Sequence, residues 1–116
     1  MESGSVEEFA QRREELQRLL RGFANRDIER FLALDGQVYR SGALPSRIKE
    51  LLGLVASLVL RCEDCVMYHL ARCREEGVSD DEMREAFAVA LVVGGSVVIP
   101  HLRRAVAAWL ASRREA

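Results

Sequence analysis

Residues 45–77 read PSRIKELLGLVASLVLRCEDCVMYHLARCREEG, and this stretch predicts two consecutive helices. Pro45 suits the start of the first helix, because the first N–H groups of a helix have no partner and proline lacks one. Gly77 is the residue type preferred just after a helix, so the second helix is expected to run from Cys62 to Glu76. The first helix is apolar around most of its circumference, which indicates burial on several sides. Its apolar residues are Ile48, Leu51, Leu52, Val55, Leu58 and Val59.

Two further helices are predicted before this pair. Ser5 followed by Glu8 has the spacing of a capping box, and apolar residues then recur every three or four positions. Asn25 can cap a second helix, because its side-chain oxygen accepts a hydrogen bond from N–H groups in the first turn. The Ser41-Gly42 pair then predicts a turn that leads to Pro45.

Two more helices are predicted after the pair. Ser79 with Glu82 is a second capping box, which opens a helix that ends at Gly94-Gly95. Ser96 is expected to cap the last helix, with Pro100 in its first turn. Because no linker divides these segments, we predict an all-α fold of about six helices in one domain, residues 1–116. Five aromatic residues at helical spacing are expected in its core: Phe9, Phe23, Phe31, Phe87 and Trp109.

Composition and charge exclude several classes of function. The chain has 116 residues, of which 49% are hydrophobic and 30% charged, and its net charge is −1. A chain so close to neutral has no field that attracts nucleic acid or an anionic membrane. The longest uncharged runs, 51–60 and 86–100, are shorter than the roughly 20 residues that span a bilayer. The first twenty residues lack the apolar stretch of a signal peptide, so a cytoplasmic location is expected.

The two uncharged runs also bear on assembly. Residues 51–60 and 86–99 carry a heavy apolar load for a chain of this length. We expect part of that load to lie in a subunit interface of a homo-oligomer. The alternative is that the two runs pack only on each other.

Cys62, Cys65 and His69 form a C-x-x-C-x-x-x-H cluster. On a helix these spacings put the three side chains on one face, with neighbouring Cβ atoms roughly 5–6 Å apart. The two thiols can then form a disulfide, and the histidine can accept a thiol proton. A helix N-terminus lowers the pKa of a cysteine, whereas the neighbouring Glu63 and Asp64 oppose ionisation. In a reducing cytosol such a pair is expected to be catalytic or metal-binding.

Glu50 is the candidate carboxylate that would orient His69. It lies on the preceding helix, twelve residues before Cys62, and a short turn would let the two helices pack antiparallel. A carboxylate that holds the base completes the arrangement that nucleophilic catalysis needs. The spacing is also compatible with Glu50 being a surface residue.

The segment from Leu44 to Gly77 contains L-P-x-R-x-K-E-L followed by C-x-x-C-x-x-x-H, and after it comes SDDEMREA. With these motifs the chain resembles the alkylhydroperoxidase D-like branch of the carboxymuconolactone decarboxylase family over roughly residues 40–110. The resemblance implies an all-helical fold that assembles into trimers or hexamers. The resemblance rests on the combination of glutamate, cysteine pair and histidine at these spacings. A C-x-x-C motif alone would be weak evidence for it.

The resemblance also implies roles for the cluster. The cysteine matching Cys65 attacks a peroxide or a partner's disulfide, and the one matching Cys62 resolves the intermediate. The residues matching His69 and Glu50 form a proton relay, sometimes through water. The implied enzyme uses no cofactor beyond its cysteine pair, and a thioredoxin-type or lipoyl protein would reduce it. Asp64 stands where some members have a histidine, and the decarboxylase branch lacks the cysteine pair.

Several alternatives stay open. Cys73 could line the same helix face, although a structural thiol is favoured for it. Cys62, Cys65, His69 and Cys73 are metal-ligand types, but eleven helical residues rise about 16 Å, too far for one zinc site. His101 is expected at an interface rather than in the site. The chain could therefore also be a non-redox helical oligomer that binds a metal or senses oxidation, or a decarboxylase-type enzyme.

Overall fold

The computed structural model describes residues 6–113 and shows six α-helices with no strand among those residues. A 3₁₀ turn, Ser96–Val98, precedes the last helix. The all-α prediction and its helix count are confirmed, while the predicted cap Ser5 lies outside the described residues. The helices are α1 (Val6–Phe23), α2 (Arg26–Val38), α3 (Ser46–Leu60), α4 (Glu63–Glu75), α5 (Asp80–Gly94) and α6 (Ile99–Ser112).

Local capping signals account for several helix ends. Asn25 accepts a hydrogen bond from the N–H of Ile28 at 3.0 Å, as the sequence predicts. Ser79 and Glu82 form the reciprocal capping box at the start of α5, with bonds of 2.9 and 3.1 Å. Gly77 follows α4 with φ +77°, a left-handed conformation that favours glycine.

The start of α6 differs from the prediction. Ser96 does not cap this helix: it opens the 3₁₀ turn, and α6 begins at Ile99 without a side-chain cap. Pro100 lies in the first turn of α6, as predicted. The glycine-rich bend before Ser96 lets the 3₁₀ turn form first, and this turn supplies the hydrogen bonds that a cap would have supplied.

Arg61 makes the sharp connection between α3 and α4. Its φ and ψ are 59° and 41°, and it is the one non-glycine residue of positive φ among residues 6–113. This left-handed residue ends α3, and Cys62 then serves as the N-cap of α4 in extended conformation. Helix α4 therefore begins at Glu63 rather than at the predicted Cys62. The two-residue link folds α4 back along α3.

The core lies around α4, which packs against α3, α1 and α6, while α5 packs against α3. Phe87 and Trp109 are buried, as predicted, and the Trp109 indole N–H donates to Asp80 at 2.9 Å. The prediction is wrong for Phe23 and Phe31, which are 90% and 69% exposed in the isolated chain. Buried apolar residues are Leu54, Leu58, Val66, Leu70, Cys73, Val78, Met83, Phe87, Ala90, Val98, Ala105, Ala108 and Trp109.

Two apolar surfaces of the described chain remain uncovered. Helix α2 has no buried residue, and its apolar side chains face solvent: Ile28, Phe31, Leu34 and Val38. A groove of ≈ 570 Å³ runs between α3 and α5, lined largely by leucine and valine. Its walls include Leu52, Val89 and Val93, each more than half exposed. Helices α3 and α5 thus pack on each other and still leave part of their apolar load at the surface.

None of the helices described is long and apolar enough to cross a membrane.

Candidate active site

Glu50 and His69 form a buried pair between α3 and α4. Glu50 is 0% exposed and His69 is 7% exposed. The Nδ1 atom of His69 lies 2.8 Å from Glu50 Oε1, so Nδ1–H donates to the carboxylate. The alternative in which Glu50 is a surface residue is therefore excluded. A carboxylate in this position fixes the orientation and the tautomer of the imidazole ring.

Arg72 balances the buried charge of Glu50. Its Nε donates to Glu50 Oε2 at 3.4 Å, one helical turn after His69. The same guanidinium also pairs with Glu75 and reaches Glu76 at 3.3 Å. A carboxylate without exposure needs such partners, because burying an unpaired charge costs several kcal/mol. Arg72 is a site residue that the sequence did not single out.

The Tyr39 hydroxyl is the partner of the other ring nitrogen of His69, Nε2. It lies 3.4 Å from His69 Nε2 and donates to it when Nδ1 carries the ring proton. The two ring centroids are 5.2 Å apart, and the Tyr68 ring packs edge-on against His69 at 5.1 Å. The sequence contained no signal for Tyr39, which lies thirty residues before His69 at the end of a helix predicted only from its apolar spacing.

Gly53 makes the close packing of this group possible. A Cβ atom at Gly53 would lie 2.6 and 2.7 Å from ring atoms of His69 and 2.8 Å from the Tyr39 hydroxyl. These distances are shorter than any ordinary contact, so a side chain on this turn of α3 would displace both rings. The sequence did contain a signal for this close approach. A glycine inside an apolar helix costs about 1 kcal/mol relative to alanine, so its presence at position 53 indicates tight packing there.

The two cysteines meet at the start of α4. Cys62 is half-buried, Cys65 is exposed, and both thiols are free. The N–H of Cys65 donates to Cys62 Sγ at 3.4 Å, which is the N-cap contact. Among the described residues no hydrogen bond joins His69 to either cysteine. The structure thus brings Glu50 to His69, and Cys62 to Cys65, as two adjacent pairs.

The surroundings of Cys65 disfavour its thiolate, contrary to the expected effect of the helix N-terminus. The hydrogen bond with Cys62, then burial, then the charges of Cys62, Asp64 and Asp35, raise the pKa of Cys65 to about 11. Asp64 adds to this rise in pKa, as predicted, but the hydrogen bond with Cys62 and burial are its larger causes. Because Cys65 is a thiol at neutral pH, it needs a base to become a nucleophile.

Glu63, the other acidic neighbour, is neutralised. Arg104 donates to Glu63 Oε2 at 2.7 and 3.0 Å, and His101 also pairs with this carboxylate. The Arg104 hydrogen bond, with His101 adding to it, lowers the pKa of Glu63. Glu63 is therefore a carboxylate whose charge is compensated by its partners on α6. Within the chain, His101 joins α6 to the residue that follows Cys62.

Cys73 belongs to the core rather than to the site. It has no exposed surface, and burial, followed by the charges of Glu50 and Glu76, raises its pKa to about 12. Such a thiol is unreactive at neutral pH. Within residues 6–113, no group of three or more histidine, cysteine or acidic side chains is placed to hold a metal ion.

A cavity of ≈ 270 Å³ opens beside the Glu50–His69 pair. Tyr39 and Glu50 line it from α2 and α3, and Tyr68 and Arg72 close it from α4. Its remaining wall residues are Gly36, Arg40 and Ser46. The arrangement is suited to proton transfer, since a paired histidine and a tyrosine hydroxyl stand beside an opening, one helical turn after Cys65 on α4.

Comparison with known sequences gives one family and distant relatives. The sequence profile of the carboxymuconolactone decarboxylase family matches residues 28–108. An uncharacterized protein of the cox locus of Paracoccus denitrificans is 32% identical over 77 residues, which cover 66% of this chain and 69% of that protein. An uncharacterized protein of Cupriavidus necator is 27% identical over 56 residues, or 48% of this chain and 50% of that protein.

Solved structures give a closer match. A Thermotoga maritima protein is 52% identical, and its two crystal structures superpose with TM-scores of 0.90 and 0.87. They cover 93% and 92% of this chain and 95% and 91% of theirs. That protein is described as a carboxymuconolactone decarboxylase family member with a suggested involvement in an antioxidative response. A Legionella pneumophila protein of this family, 22% identical, shares the fold with a TM-score of 0.65 over 90% of this chain and 86% of its own.

Proposed function

Because the chain belongs to the carboxymuconolactone decarboxylase family, we propose that it is a cysteine-based oxidoreductase of the alkylhydroperoxidase D-like type. One observation carries the proposal: the C-x-x-C pair stands at the start of the helix on which His69 is buried against Glu50. A decarboxylase would have no use for two free thiols at this place. The antioxidative role suggested for the Thermotoga maritima relative agrees with this chemistry.

The reaction proceeds in two thiol steps. The Cys65 thiolate attacks one peroxide oxygen, the O–O bond breaks, and water or an alcohol leaves while Cys65 becomes a sulfenic acid. The Cys62 thiol then attacks the Cys65 sulfur, forming the disulfide and releasing water. If the oxidant is a partner's disulfide, Cys65 forms a mixed disulfide and Cys62 displaces the partner's thiol. A dithiol partner, such as a lipoyl or thioredoxin-type protein, returns both cysteines to thiols.

His69 and Glu50 supply what the Cys65 thiol lacks. With a pKa of about 11, Cys65 is almost wholly protonated at neutral pH, so its proton must be removed during attack. His69 accepts that proton, and Glu50 stabilises the resulting imidazolium through the 2.8 Å bond to Nδ1. The carboxylate also holds the ring in one orientation, so no entropy is lost in arranging the base.

We also propose that the working form is a homo-oligomer. The apolar face of α2 and the groove between α3 and α5 are both uncovered in the isolated chain. A second copy is a suitable partner, since an amphipathic helix docks into an apolar groove through residues spaced as Ile28, Phe31, Leu34 and Val38 are. Phe31→Glu is expected to lower the mass measured by light scattering to that of a monomer or smaller assembly. An exposed control, Arg30→Glu, is expected to leave the mass unchanged.

The catalytic proposal is tested by peroxide oxidation and thiol counting. The reduced protein has three free cysteines, and peroxide is expected to leave one, Cys73. Cys65→Ser is expected to block disulfide formation, whereas the control Cys73→Ser is expected to form the disulfide at the wild-type rate. Three free thiols after peroxide treatment of the wild-type protein would exclude the proposed peroxidase activity. Metal content is measured on the same samples, because stoichiometric zinc retained through dialysis would favour the metal-binding alternative.

A further inference from the structure

Both ring nitrogens of His69 are already engaged in the resting site. Nδ1 donates to Glu50 at 2.8 Å, and Nε2 faces the Tyr39 hydroxyl at 3.4 Å. A thiol proton cannot bond directly to His69 while both positions are filled. Any proton that Cys65 gives to the Glu50–His69 pair must therefore pass the Tyr39 hydroxyl or displace it.

We propose that the Tyr39 hydroxyl carries the proton between the Cys65 thiol and His69 Nε2. This proposal rests on the proposed function and adds a residue to its proton relay. A hydroxyl is suited to the task, because it can accept one proton while it donates another. Tyr39 thereby occupies the intermediate position in the order Cys65, Tyr39, His69, Glu50.

The packing around Tyr39 supports a fixed role for its hydroxyl. The absence of a side chain at Gly53 lets the hydroxyl and the His69 ring lie together on α3, where a Cβ would come within 2.8 Å of Tyr39 and 2.6 Å of His69. The tyrosine is half-buried and lines the ≈ 270 Å³ cavity, which gives its hydroxyl access to a substrate. The missing side chain at Gly53 on α3 thus makes room for the Tyr39 hydroxyl, which comes from the end of α2.

The charges around Tyr39 keep the hydroxyl protonated. Burial, followed by the charges of Asp35, Glu50, Tyr68 and Cys65, raises the pKa of Tyr39 above its ordinary value of 10.0. A neutral phenol is the form that can donate to Nε2. Cys65 lies one helical turn before His69 on α4, so the thiol and the phenol are on the two sides of the same imidazole neighbourhood.

The proton transfer balances without any further reactant. The Cys65 S–H proton moves to Tyr39 Oη, directly or through one water, as the phenolic proton moves to His69 Nε2. The products are a Cys65 thiolate and a His69 imidazolium, and Tyr39 is unchanged. The imidazolium then holds two donated hydrogen bonds, to Glu50 at Nδ1 and to the phenol oxygen at Nε2.

Two tyrosines give a matched pair of variants. The rings of Tyr39 and Tyr68 lie 5.2 and 5.1 Å from His69, but only the Tyr39 hydroxyl is hydrogen-bonded to it among the described residues. Alkylation of Cys65 by iodoacetamide is followed against pH, with tandem mass spectrometry to locate the modified cysteine. Tyr39→Phe is expected to slow alkylation about tenfold near pH 7, because the thiol proton no longer has a path to His69. Near pH 11 the variant is expected to match wild type, because the thiol then ionises without the base. Tyr68→Phe removes a hydroxyl that is not hydrogen-bonded to His69, so the ratio of its alkylation rates at pH 7 and pH 11 is expected to equal that of wild type.

The outcomes separate the inference from the proposed function. A Tyr39→Phe profile equal to wild type, or lowered by one factor at every pH, would overturn the relay. Slow alkylation in His69→Ala with no change in Tyr39→Phe would show that His69 acts directly, which refutes the role of Tyr39 alone. Peroxide oxidation is measured separately. If Cys65 is alkylated as expected but the protein is not oxidised by peroxide, only the peroxidase proposal is refuted. If Tyr39→Phe does not fold, Gly53→Ala disturbs the same contact and is expected to give the same change of profile.

Discussion

Replacing Gly53 by alanine tests the arrangement of the site with a single methyl group. The added Cβ would lie 2.6 Å from one ring atom of His69, whereas ordinary contacts are 3.5–4.0 Å, so the ring must retreat by about 1 Å. A displacement of that size in a catalytic group can lower a rate about 10²-fold. We therefore expect peroxide-driven disulfide formation to slow by about two orders of magnitude.

The effect on stability is expected to be much smaller. Alanine gains about 1 kcal/mol over glycine inside a helix, and overpacking typically costs about 1–3 kcal/mol. The clashing atoms belong to the outer parts of the His69 and Tyr39 side chains, which can move without shifting α3. The free energy of unfolding, measured with urea, should therefore fall by no more than about 2 kcal/mol.

Gly22 provides a matched control within the same chain. It lies in α1, and an added Cβ there would meet no atom within 4 Å. Its alanine variant is expected to keep the wild-type oxidation rate and to gain up to about 1 kcal/mol of stability. A folded Gly53→Ala protein with the wild-type rate would refute the assignment of His69 and Tyr39 to the reaction.

Three further predictions concern stability. Glu50→Ala is expected to lower the free energy of unfolding in urea by about 3–5 kcal/mol, because the buried His69 N–H and Arg72 lose their partner. Glu50→Gln is expected to lower it less. Equal small decreases in the two variants would contradict the buried pair. Cys73, with its pKa raised from 9.0 to about 12, stabilises the fold below pH 9, and this stability is lost as the pH rises towards 12. Ionisation of Cys73 is expected to account for about 2 kcal/mol of the fall in the free energy of unfolding between roughly pH 8 and pH 10.5. Over this range the free energy of unfolding of Cys73→Ala should therefore fall by about 2 kcal/mol less than that of wild type. An equal fall in the two proteins would refute the assignment. Arg61→Gly should raise the midpoint of thermal unfolding, because glycine adopts φ 59° without a Cβ penalty, and a lowered midpoint would contradict this.

The parts of the fold that the sequence predicts correctly depend on local signals. The Ser79–Glu82 capping box, the Asn25 cap and Gly77 act through neighbouring backbone atoms, and all three appear where expected. The short connection between α3 and α4 allowed Glu50 to face His69 but left a surface position open, and the family resemblance favoured the site. The left-handed Arg61 that makes this connection had no signal, since arginine is not a residue favoured in that conformation.

The remaining differences arise from contacts between distant segments. Helical spacing alone does not distinguish a residue that faces the core from one on an uncovered helix, which is why Phe23 and Phe31 were expected inside. Tyr39 reaches His69 only through the placement of α2, which no local pattern encodes. The pKa of Cys65 is raised mainly by its hydrogen bond with Cys62 and by burial, and neither could be judged from the C-x-x-C motif alone.

The proposed redox cycle interconverts Cys62 and Cys65 between dithiol and disulfide while Cys73 stays reduced. To measure it, the protein is equilibrated in lipoamide buffers of graded redox poise, free thiols are trapped with an alkylating agent, and the peptides are mapped by mass spectrometry. One reversible two-electron transition is expected, with three free thiols per chain at the reducing end and one, on Cys73, at the oxidising end. Three free thiols at every poise, or a disulfide that includes Cys73, would contradict it.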